Sequence, residues 1–390
     1  ALSMTIAYSG MTNEGTTLTT ELKVPYDTLL WPSSPFISTV MLWGPMSSLI
    51  TLFLTSQSRA FFSRGFREEV LAGSAANGVT LDFGGTNQYG MEPFGFALVD
   101  TPGVIGSGAR GIMDGIDNAF LLAMPQSDAG NCEVWELVVP LVWLGRKMQQ
   151  DSYGYGRYRG GCGLSSTYMI YKTPSLYFNS IATLMAYVPQ NSSMFGGYPS
   201  PTPHFAYMSG PNTKELIAER RPLVHEWGDP RYPDLQKNLA GVYRSFNSNP
   251  TVCDDVLKEG DMLQTYCLGG GGLGDPLERD IVLIKKDLDN GELSMEVCRN
   301  VYFVEAKFDP QIDEYIIDEQ KTKELREEEK KRRLKGGIPV REWWQRSRQR
   351  ILSREYPKLI NDMYNDSLAK GERWPQEFRA FWDLSEDFTF

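Results

Sequence analysis

The sequence predicts a mixed α/β protein in which a body rich in glycine loops precedes a helical, charged and aromatic C-terminal arm. Residues 72–130 are rich in glycine and contain only short apolar runs, which predicts a region dominated by ordered loops. Residues 251–304 follow the order strand, glycine loop, helix, strand. Residues 318–335 form a dense run of alternating charge, which indicates a solvated helix with ion pairs three or four residues apart.

These changes in composition predict three parts. Residues 1–250 form a core, residues 251–317 form a module of glycine loop and helix, and residues 318–390 form a helical arm that docks on partner subunits. A chain of 390 residues is long enough for two or three domains.

An uncharged stretch from Trp31 to Ser58 is long enough to be tested as a membrane span. Gly44 and Pro45 interrupt it, and proline breaks or kinks a helix. Arginines follow directly after it, and no second apolar span is present. We therefore expect a buried helix–turn–helix within residues 36–70 and no membrane insertion.

The composition of the chain limits the partners and the cellular compartment that can be expected for it. The net charge of −10 argues against nucleic acid, because phosphate binding requires clustered positive charge. The five cysteines are odd in number and form no C-x-x-C pair, so we expect reduced thiols rather than disulfides or a structural zinc site. The chain shows no secretion signal pattern. We expect a cytoplasmic protein.

The clearest local motif is GGGGLGDPLERD at residues 269–280. Asp275 is predicted to be an N-cap, with Pro276 at the first helical position and Glu278 at the third. The last glycine precedes the cap, whereas in a dinucleotide-binding fingerprint it lies within the first helical turn. The loop is therefore read as a structural hinge or as a ligand-lining loop, and a nucleotide site is the weakest alternative.

A second glycine loop, DSYGYGRYRGGCG at residues 151–163, carries Arg157 and Arg159. A guanidinium can hold a carboxylate or bicarbonate with two hydrogen bonds, so both arginines are candidates for anion binding. The alternative is structural, in which they tie the loop to Asp151 or to acidic residues near Glu133.

Acidic residues between 114 and 136 form a third candidate set. Asp114, Glu133 and Glu136 could act as general bases or could orient a metal ligand from a second layer. The alternative is that they are solvated surface carboxylates.

Several catalytic signatures are absent from the sequence. The only histidines, His204 and His225, lie 21 residues apart without metal-site spacing. No P-loop and no G-x-S-x-G elbow occur. A self-contained catalytic centre is therefore not indicated, and no residue is assigned to a metal.

The two glycine motifs resemble those of the hydantoinase B/oxoprolinase family, and FGG at 83–85, MDGIDN at 113–118 and NCEVWELVVP at 131–140 precede them in the family's order. Within that family the chain is most similar to the C-terminal half of acetone carboxylase large subunits. That similarity is carried by RAFFSRGFREEVLAG at 59–73, EVWELVVPLVWLGR at 133–146, KELIAE at 214–219 and EFRAFWDLSEDFT at 377–389.

The resemblance implies a subunit of an ATP-dependent ketone carboxylase, which joins bicarbonate to acetone or a related ketone and gives a β-keto acid. It implies manganese (or a similar divalent metal) bound by two histidines and an aspartate in the N-terminal half of the large subunit, which this chain does not include. It also implies ATP and Mg²⁺ on a hydantoinase-A-like β subunit, and a small γ subunit. Within such a complex Arg157 and Arg159 are expected to hold bicarbonate or phosphate, and Asp114, Glu133 or Glu136 to orient a metal ligand or relay a proton.

Two other functions remain open at this point. One is a subunit of an ATP-dependent hydrolase of cyclic amides, of the hydantoinase or oxoprolinase kind, which would need no bicarbonate. The other is a non-catalytic scaffold subunit.

Overall fold

Antiparallel strands and helices alternate along the first part of the chain, and helices alone occupy the last part. The computed structural model describes residues 33–34, 43–74, 81–92, 94–98, 105–119, 131–180, 192–201, 205–221, 239–246, 256–267 and 269–390. The predicted mixture of helices and strands is confirmed.

The strands, numbered in chain order, are β1 Leu81–Gly85, β2 Phe94–Leu98, β3 Leu141–Met148, β4 Leu164–Ile170, β5 Leu176–Ser180, β6 Phe205–Ser209, β7 Val242–Phe246, β8 Met262–Tyr266, β9 Glu305–Asp309 and β10 Glu314–Asp318. The helices are α1 Trp43–Ser63, α2 Cys132–Val138, α3 Thr213–Ala218, α4 Ile281–Asp289, α5 Met295–Asn300, α6 Glu319–Gly336, α7 Val340–Leu352, α8 Lys358–Lys370 and α9 Trp374–Trp382. Single 3₁₀ turns occupy Arg67–Glu69 and Pro276–Glu278.

Within the described ranges, the strands form two antiparallel sheets and a hairpin. One sheet has the order β2-β1-β5 and the other β3-β4-β8-β6-β7, while β9 pairs with β10. Strand β4, which lies between β3 and β8, is buried along its whole length, so both of its faces are covered. Phe83 and Leu176 of the small sheet share one apolar core with Tyr168, Ile170 and Leu263 of the large sheet. The two sheets therefore pack on each other.

Helix α1 begins at Trp43, so Pro45 lies in its first turn, where the missing N–H costs no helical hydrogen bond. The predicted helix–turn–helix broken at Gly44 and Pro45 was therefore wrong, because the proline starts the helix instead of interrupting it; residues 36–42 lie outside the described residues. Among the described residues, no helix combines the length and apolar character needed to cross a bilayer.

By contacts the chain forms two compact units, one of Ala1–Thr17 with Val40–Arg326 and one of Leu18–Thr39 with Glu327–Phe390. The three-part division at residues 250 and 317 stays a prediction. Helix α6 runs through the division at Arg326. It has the predicted ion pairs at helical spacing, such as Lys321 with Glu324 at 3.4 Å and Arg333 with Glu329 at 2.8 Å.

In the second unit, α8 and α9 surround an aromatic cluster at the end of the chain. The ring of Phe390 stacks on Tyr364 with centroids 4.5 Å apart, and Trp374 packs on Phe378 at 4.9 Å. Asn365 donates to the carbonyl of Phe390 at 3.0 Å and accepts from its amide at 2.7 Å. Phe390 is thus held by both its ring and its backbone in this aromatic cluster.

Candidate functional site

Five glycine-rich segments of the first unit bind one another through their backbones, and together we call them the glycine layer: residues 72–74, 105–111, 152–163, 192–198 and 269–274. Residues 269–274 are central. The amides of Gly269, Gly270, Gly271 and Gly272 donate in turn to the carbonyls of Ser152, Gly161, Gly73 and Tyr198, at 2.8–3.0 Å. Successive amides therefore point to different neighbours, as in bundles of polyproline II helices, which have three residues per turn.

The close approach of these segments requires residues without a side chain. A Cβ atom built on Gly270 would overlap the carbonyl of Ser107, and one on Gly160 would overlap the carbonyl of Gly270. The obstacles are backbone atoms, which cannot rotate away. Because the amides of Gly269–Gly272 are buried and bonded to protein carbonyls, they are not available to a ligand anion.

The sequence motif after the glycines folds partly as predicted. Asp275 is an N-cap, and its carboxylate accepts from the amide of Leu277 at 2.9 Å. The element that it caps is a single 3₁₀ turn ending at Glu278, not the start of a long helix. The long helix is α4, and Asp280 caps it through the amide of Val282 at 2.9 Å. The expected helix start was five residues too early because the motif contains two caps in succession.

Beneath the glycine layer lies a cluster of two arginines and four carboxylates: Arg159, Arg279, Asp114, Asp117, Asp287 and Glu292. Arg159 is almost fully buried. Its Nε donates to Asp287 at 2.9 Å, its Nη1 to Asp117 at 2.7 Å, and its Nη2 to Glu292 at 3.0 Å. Nη1 also donates to the carbonyl of Gly160 at 2.9 Å, and Nη2 to the second oxygen of Asp117 at 3.3 Å. All five N–H groups of this side chain are therefore used inside the protein.

Arg279 is the second cation and has no exposed side-chain surface. It holds Asp114 with two bonds of 2.7 and 2.8 Å, and its Nη2 also donates to Asp287 at 2.8 Å. Asp287 thus links the two arginines, one through each oxygen. Asp114 in turn accepts from the backbone amide of Arg159 at 2.8 Å. The cluster joins loop 114–117, the loop around Arg159 and the helix α4.

The charges of the cluster are unequal, because four carboxylates face two guanidinium groups. Burial alone would raise the pKa of Asp117, but the bond and charge of Arg159, with the amide of Cys162, lower it below its usual value. For Glu292 burial dominates, and its pKa is raised despite Arg159. The two carboxylates on one guanidinium therefore differ in how readily they accept a proton.

The predicted site residues fall in different places. Asp114 and Arg159 meet in the cluster. The binding of bicarbonate by Arg159 stays a prediction, and in this geometry all of its side-chain N–H groups already donate to protein acceptors. Arg157 points outward, with a side chain 54% exposed and its Nη1 3.8 Å from Glu278. Glu133 and Glu136 lie on α2; Glu133 is exposed, and Glu136 accepts from the amide of Trp143 at 2.8 Å.

The structural reading of the arginines named the wrong partners. Arg159 is tied to Asp117, Asp287 and Glu292, whereas Asp151 accepts from the amide of Ser294 at 2.9 Å. Asp287, Glu292 and Arg279 were missed from sequence. A signal existed for Asp287, because it lies at helical spacing between the buried Ile284 and Leu288, where a carboxylate needs a charged partner.

Comparison with known proteins gives the family. The family model described as hydantoinase B/oxoprolinase matches residues 1–276 of the chain. The chain belongs to the hydantoinase B/oxoprolinase family. Arg157, Arg159 and the glycine layer up to Gly274 all lie within the matched region, so most of the site described above is built on this family's sequence.

Relatives within the hydantoinase B/oxoprolinase family include carboxylase subunits. The acetone carboxylase alpha subunit of Xanthobacter autotrophicus is 30% identical over 100% of this chain and 50% of its own length. The acetophenone carboxylase delta subunit of Aromatoleum aromaticum is 30% identical over 73% of this chain and 41% of its own length. A nucleotide-free acetone carboxylase structure superposes with a TM-score of 0.75, at 28% identity, over 100% of this chain and 50% of that one. The chain spans about half the length of the relatives it matches.

The manganese implied by the resemblance to acetone carboxylases does not fit the cluster. Within the described residues, one group of three metal-ligand types lies together, namely Asp117, Cys162 and Glu292, with atoms within 4.8 Å of one another. Arg159 already binds both carboxylates, and burial raises the pKa of the Cys162 thiol, so the thiol stays protonated. Manganese also favours oxygen ligands over a thiol. His204 and His225 lie outside the described residues.

Alkaline pH is expected to destabilise the protein, partly through Cys162. Burial raises the pKa of this thiol, while the unfolded thiol ionises near 9.0. The stability that it contributes is complete below pH 9 and falls above it by about 1.4 kcal/mol per pH unit, because only the unfolded state releases the proton. Urea unfolding at pH 8, 9 and 10 measures how steeply the free energy of unfolding falls with pH. Above pH 9 this fall should be smaller in Cys162→Ala than in the unchanged protein, by about 1.4 kcal/mol per pH unit. Equal slopes in the two proteins would contradict the assignment.

The four described cysteines, Cys132, Cys162, Cys267 and Cys298, are free thiols, as expected from their spacing. Cys253 lies outside the described residues.

Proposed function

We propose that this chain is part of the large subunit of an ATP-dependent ketone carboxylase, which adds bicarbonate to acetone or a related ketone to give a β-keto acid. The observation that carries the proposal is the similarity to the acetone carboxylase alpha subunit along the entire chain, at 30% identity. The acetone carboxylase fold, matched with a TM-score of 0.75, supports it.

Parts of the complex outside these 390 residues would supply the metal and the nucleotide. We propose that manganese is held by the N-terminal half of the large subunit, that ATP and Mg²⁺ are bound by a hydantoinase-A-like β subunit, and that a small γ subunit completes the complex. The absence of a fitting metal set among the described residues is consistent with this division. A phosphoryl group of ATP would accept the oxygen that bicarbonate loses and would leave with it as inorganic phosphate, while the ketone's α carbon loses a proton and bonds to the bicarbonate carbon.

The part proposed for this chain is to hold an anion at the edge of a rigid surface. Arg157 is the candidate, because its guanidinium is half exposed and its Nη1 lies 3.8 Å from Glu278, a distance too long for a strong ion pair. Its backbone is fixed, since its amide donates to Gly274 at 3.2 Å and its carbonyl accepts from Arg279 at 3.3 Å. A cation with a fixed backbone and free donors suits bicarbonate or a phosphate group.

Replacing Arg157 with glutamine is expected to raise the KM for bicarbonate at least about tenfold, because a charged hydrogen bond to an anion contributes about 1.5–3 kcal/mol. Arg157→Lys should recover part of the affinity, since it keeps the charge but loses the two-pronged geometry. Arg299→Gln is the matched control, because Arg299 is 55% exposed and pairs with Glu305 at 3.3 Å. Steady-state kinetics of the complete complex measure all four proteins. An unchanged KM in Arg157→Gln would remove Arg157 from the site.

The proposed reaction is tested by incorporation of labelled bicarbonate into an acid-stable product, with the complete native complex, ATP and a series of ketones. Incorporation that requires both ATP and a ketone supports the proposal. ATP-dependent opening of a cyclic amide without bicarbonate would instead support the hydrolase alternative. The match to the hydantoinase B/oxoprolinase family is the observation that favours this alternative. A complex that turns over equally well when its Arg157 loop is mutated would support a scaffold role.

A further inference from the structure

Exposed apolar residues gather near the C-terminal end of α1, and together we call them the Phe195 surface. It consists of Phe62, Phe66, Phe195, Ile112 and Met113, each of them 36–57% exposed. Single exposed apolar residues are ordinary, but five large ones in a connected group are characteristic of an interaction site.

One ring contact, one cation–π contact and two hydrogen bonds link the segments that carry these residues. The rings of Phe62 and Phe195 lie 4.3 Å apart, and the guanidinium of Arg67 lies 5.6 Å above the ring of Phe62. The loop that carries Ile112 and Met113 is bonded to the turn after Phe66. The amide of Gly111 donates to the carbonyl of Val70 at 3.1 Å, and the side chain of Arg110 donates to the carbonyl of Glu68 at 2.9 Å.

The backbone at Phe195 is strained in a way that keeps its ring at the surface. Its φ is +52°, in the left-handed region that bulky residues rarely adopt, and Gly196 follows at +97°. Both neighbours are fixed in the glycine layer, since Met194 donates to the carbonyl of Gly272 at 3.0 Å and Gly197 to that of Met194 at 3.0 Å. Such strain persists only where the surrounding structure imposes it, and it concentrates at functional positions.

We propose that the Phe195 surface is the docking site for the half of the carboxylase large subunit that the matched relatives carry beyond the region matched here. This inference rests on the proposed function. The acetone carboxylase alpha subunit has as much chain outside the match as inside it, and this second half is the occupant to which the proposal commits. The surface combines phenylalanine, methionine and arginine, which are the residue types enriched in protein interfaces.

Site-specific photo-cross-linking in the complete native assembly tests the proposal, whether that half is covalently continuous with this chain or separate. Phe195→p-benzoylphenylalanine is expected to cross-link to peptides related to the unmatched half of the acetone carboxylase alpha subunit. Val282→p-benzoylphenylalanine is the matched control, because Val282 is an apolar residue of α4 that is 67% exposed. Its yield of the same peptides should be at least tenfold lower. Cross-links from position 195 to an ATP-binding subunit or to a second copy of this chain, or none at all, would overturn the proposal.

A charge substitution provides a second measurement. Phe195→Asp should decrease the yield of that cross-link from Phe62→p-benzoylphenylalanine at least tenfold, whereas Val282→Asp should leave it within twofold. An unchanged yield in the Phe195→Asp protein would also overturn the docking site. The labelled-bicarbonate assay of the unmodified complex reports separately on the proposed function. Cross-links to the second half in a complex without bicarbonate incorporation would keep the surface and exclude the carboxylase.

Discussion

Replacing Arg279 with methionine is expected to lower the free energy of unfolding by about 3–5 kcal/mol. Arg279 is fully buried and supplies one of the two positive charges in a cluster with four carboxylates. Without Arg279, Asp114 loses a partner that donates two hydrogen bonds to it, and Asp287 keeps only Arg159 as a charged partner. Methionine retains most of the aliphatic length, so the loss comes mainly from unpaired carboxylates.

The control for this variant is Arg299→Met, which removes an exposed ion pair and should cost about 0–1 kcal/mol. Urea unfolding followed by circular dichroism measures both proteins. A double variant, Arg279→Met with Asp114→Asn, should recover part of the stability because it removes one of the unpaired charges. If Arg279→Met were no less stable than Arg299→Met, the cluster would not be a source of stability.

Replacing Gly270 with alanine is expected to lower the free energy of unfolding by more than about 3 kcal/mol. Overpacking costs about 1–3 kcal/mol, and each hydrogen bond that breaks costs about 1 kcal/mol more. The added methyl group would overlap the carbonyl of Ser107. That carbonyl accepts from the amide of Gly161 at 2.8 Å. Gly270 itself donates to the carbonyl of Gly161 at 2.9 Å and accepts from the amide of Gly154 at 2.7 Å. A shift of any one segment therefore breaks bonds in the others.

Gly336→Ala is the matched control for this substitution. Gly336 ends α6, and a Cβ there would meet nothing within 4 Å. We expect the control to change stability by less than about 1 kcal/mol, and in the stabilising direction, because alanine is the better helix former. Thermal unfolding and the soluble yield distinguish the two proteins. Similar midpoints for both would show that the glycine layer tolerates side chains.

The features predicted correctly from sequence are those determined by neighbouring residues. Alternating charges at helical spacing predict α6, and the Asp-Pro pair predicts the cap at Asp275. In each case the residues that decide the structure lie within a few positions of one another, so a local pattern carries the information.

The features that the sequence did not predict depend on residues that lie far apart along the chain. The partners of Arg159 are 42, 128 and 133 positions away, and no spacing rule connects them. The glycine motif was read as a hinge or a ligand-lining loop because glycine indicates conformational freedom in sequence. In the structure the same glycines are closely packed, since the space beside them is filled by the backbone of other segments.

The glycine layer also determines the order in which this unit can fold. Its central segment, residues 269–274, joins segments that begin near residue 72, so the layer cannot close until almost 200 further residues have been synthesised. Pairings of such long sequence separation form slowly. Until Gly270 and its neighbours arrive, the carbonyls that they bind in the earlier segments lack these partners and are open to wrong contacts with other chains. Synthesis of this protein should therefore depend on chaperones that hold the first 270 residues, and a fragment ending before Gly269 should aggregate rather than fold.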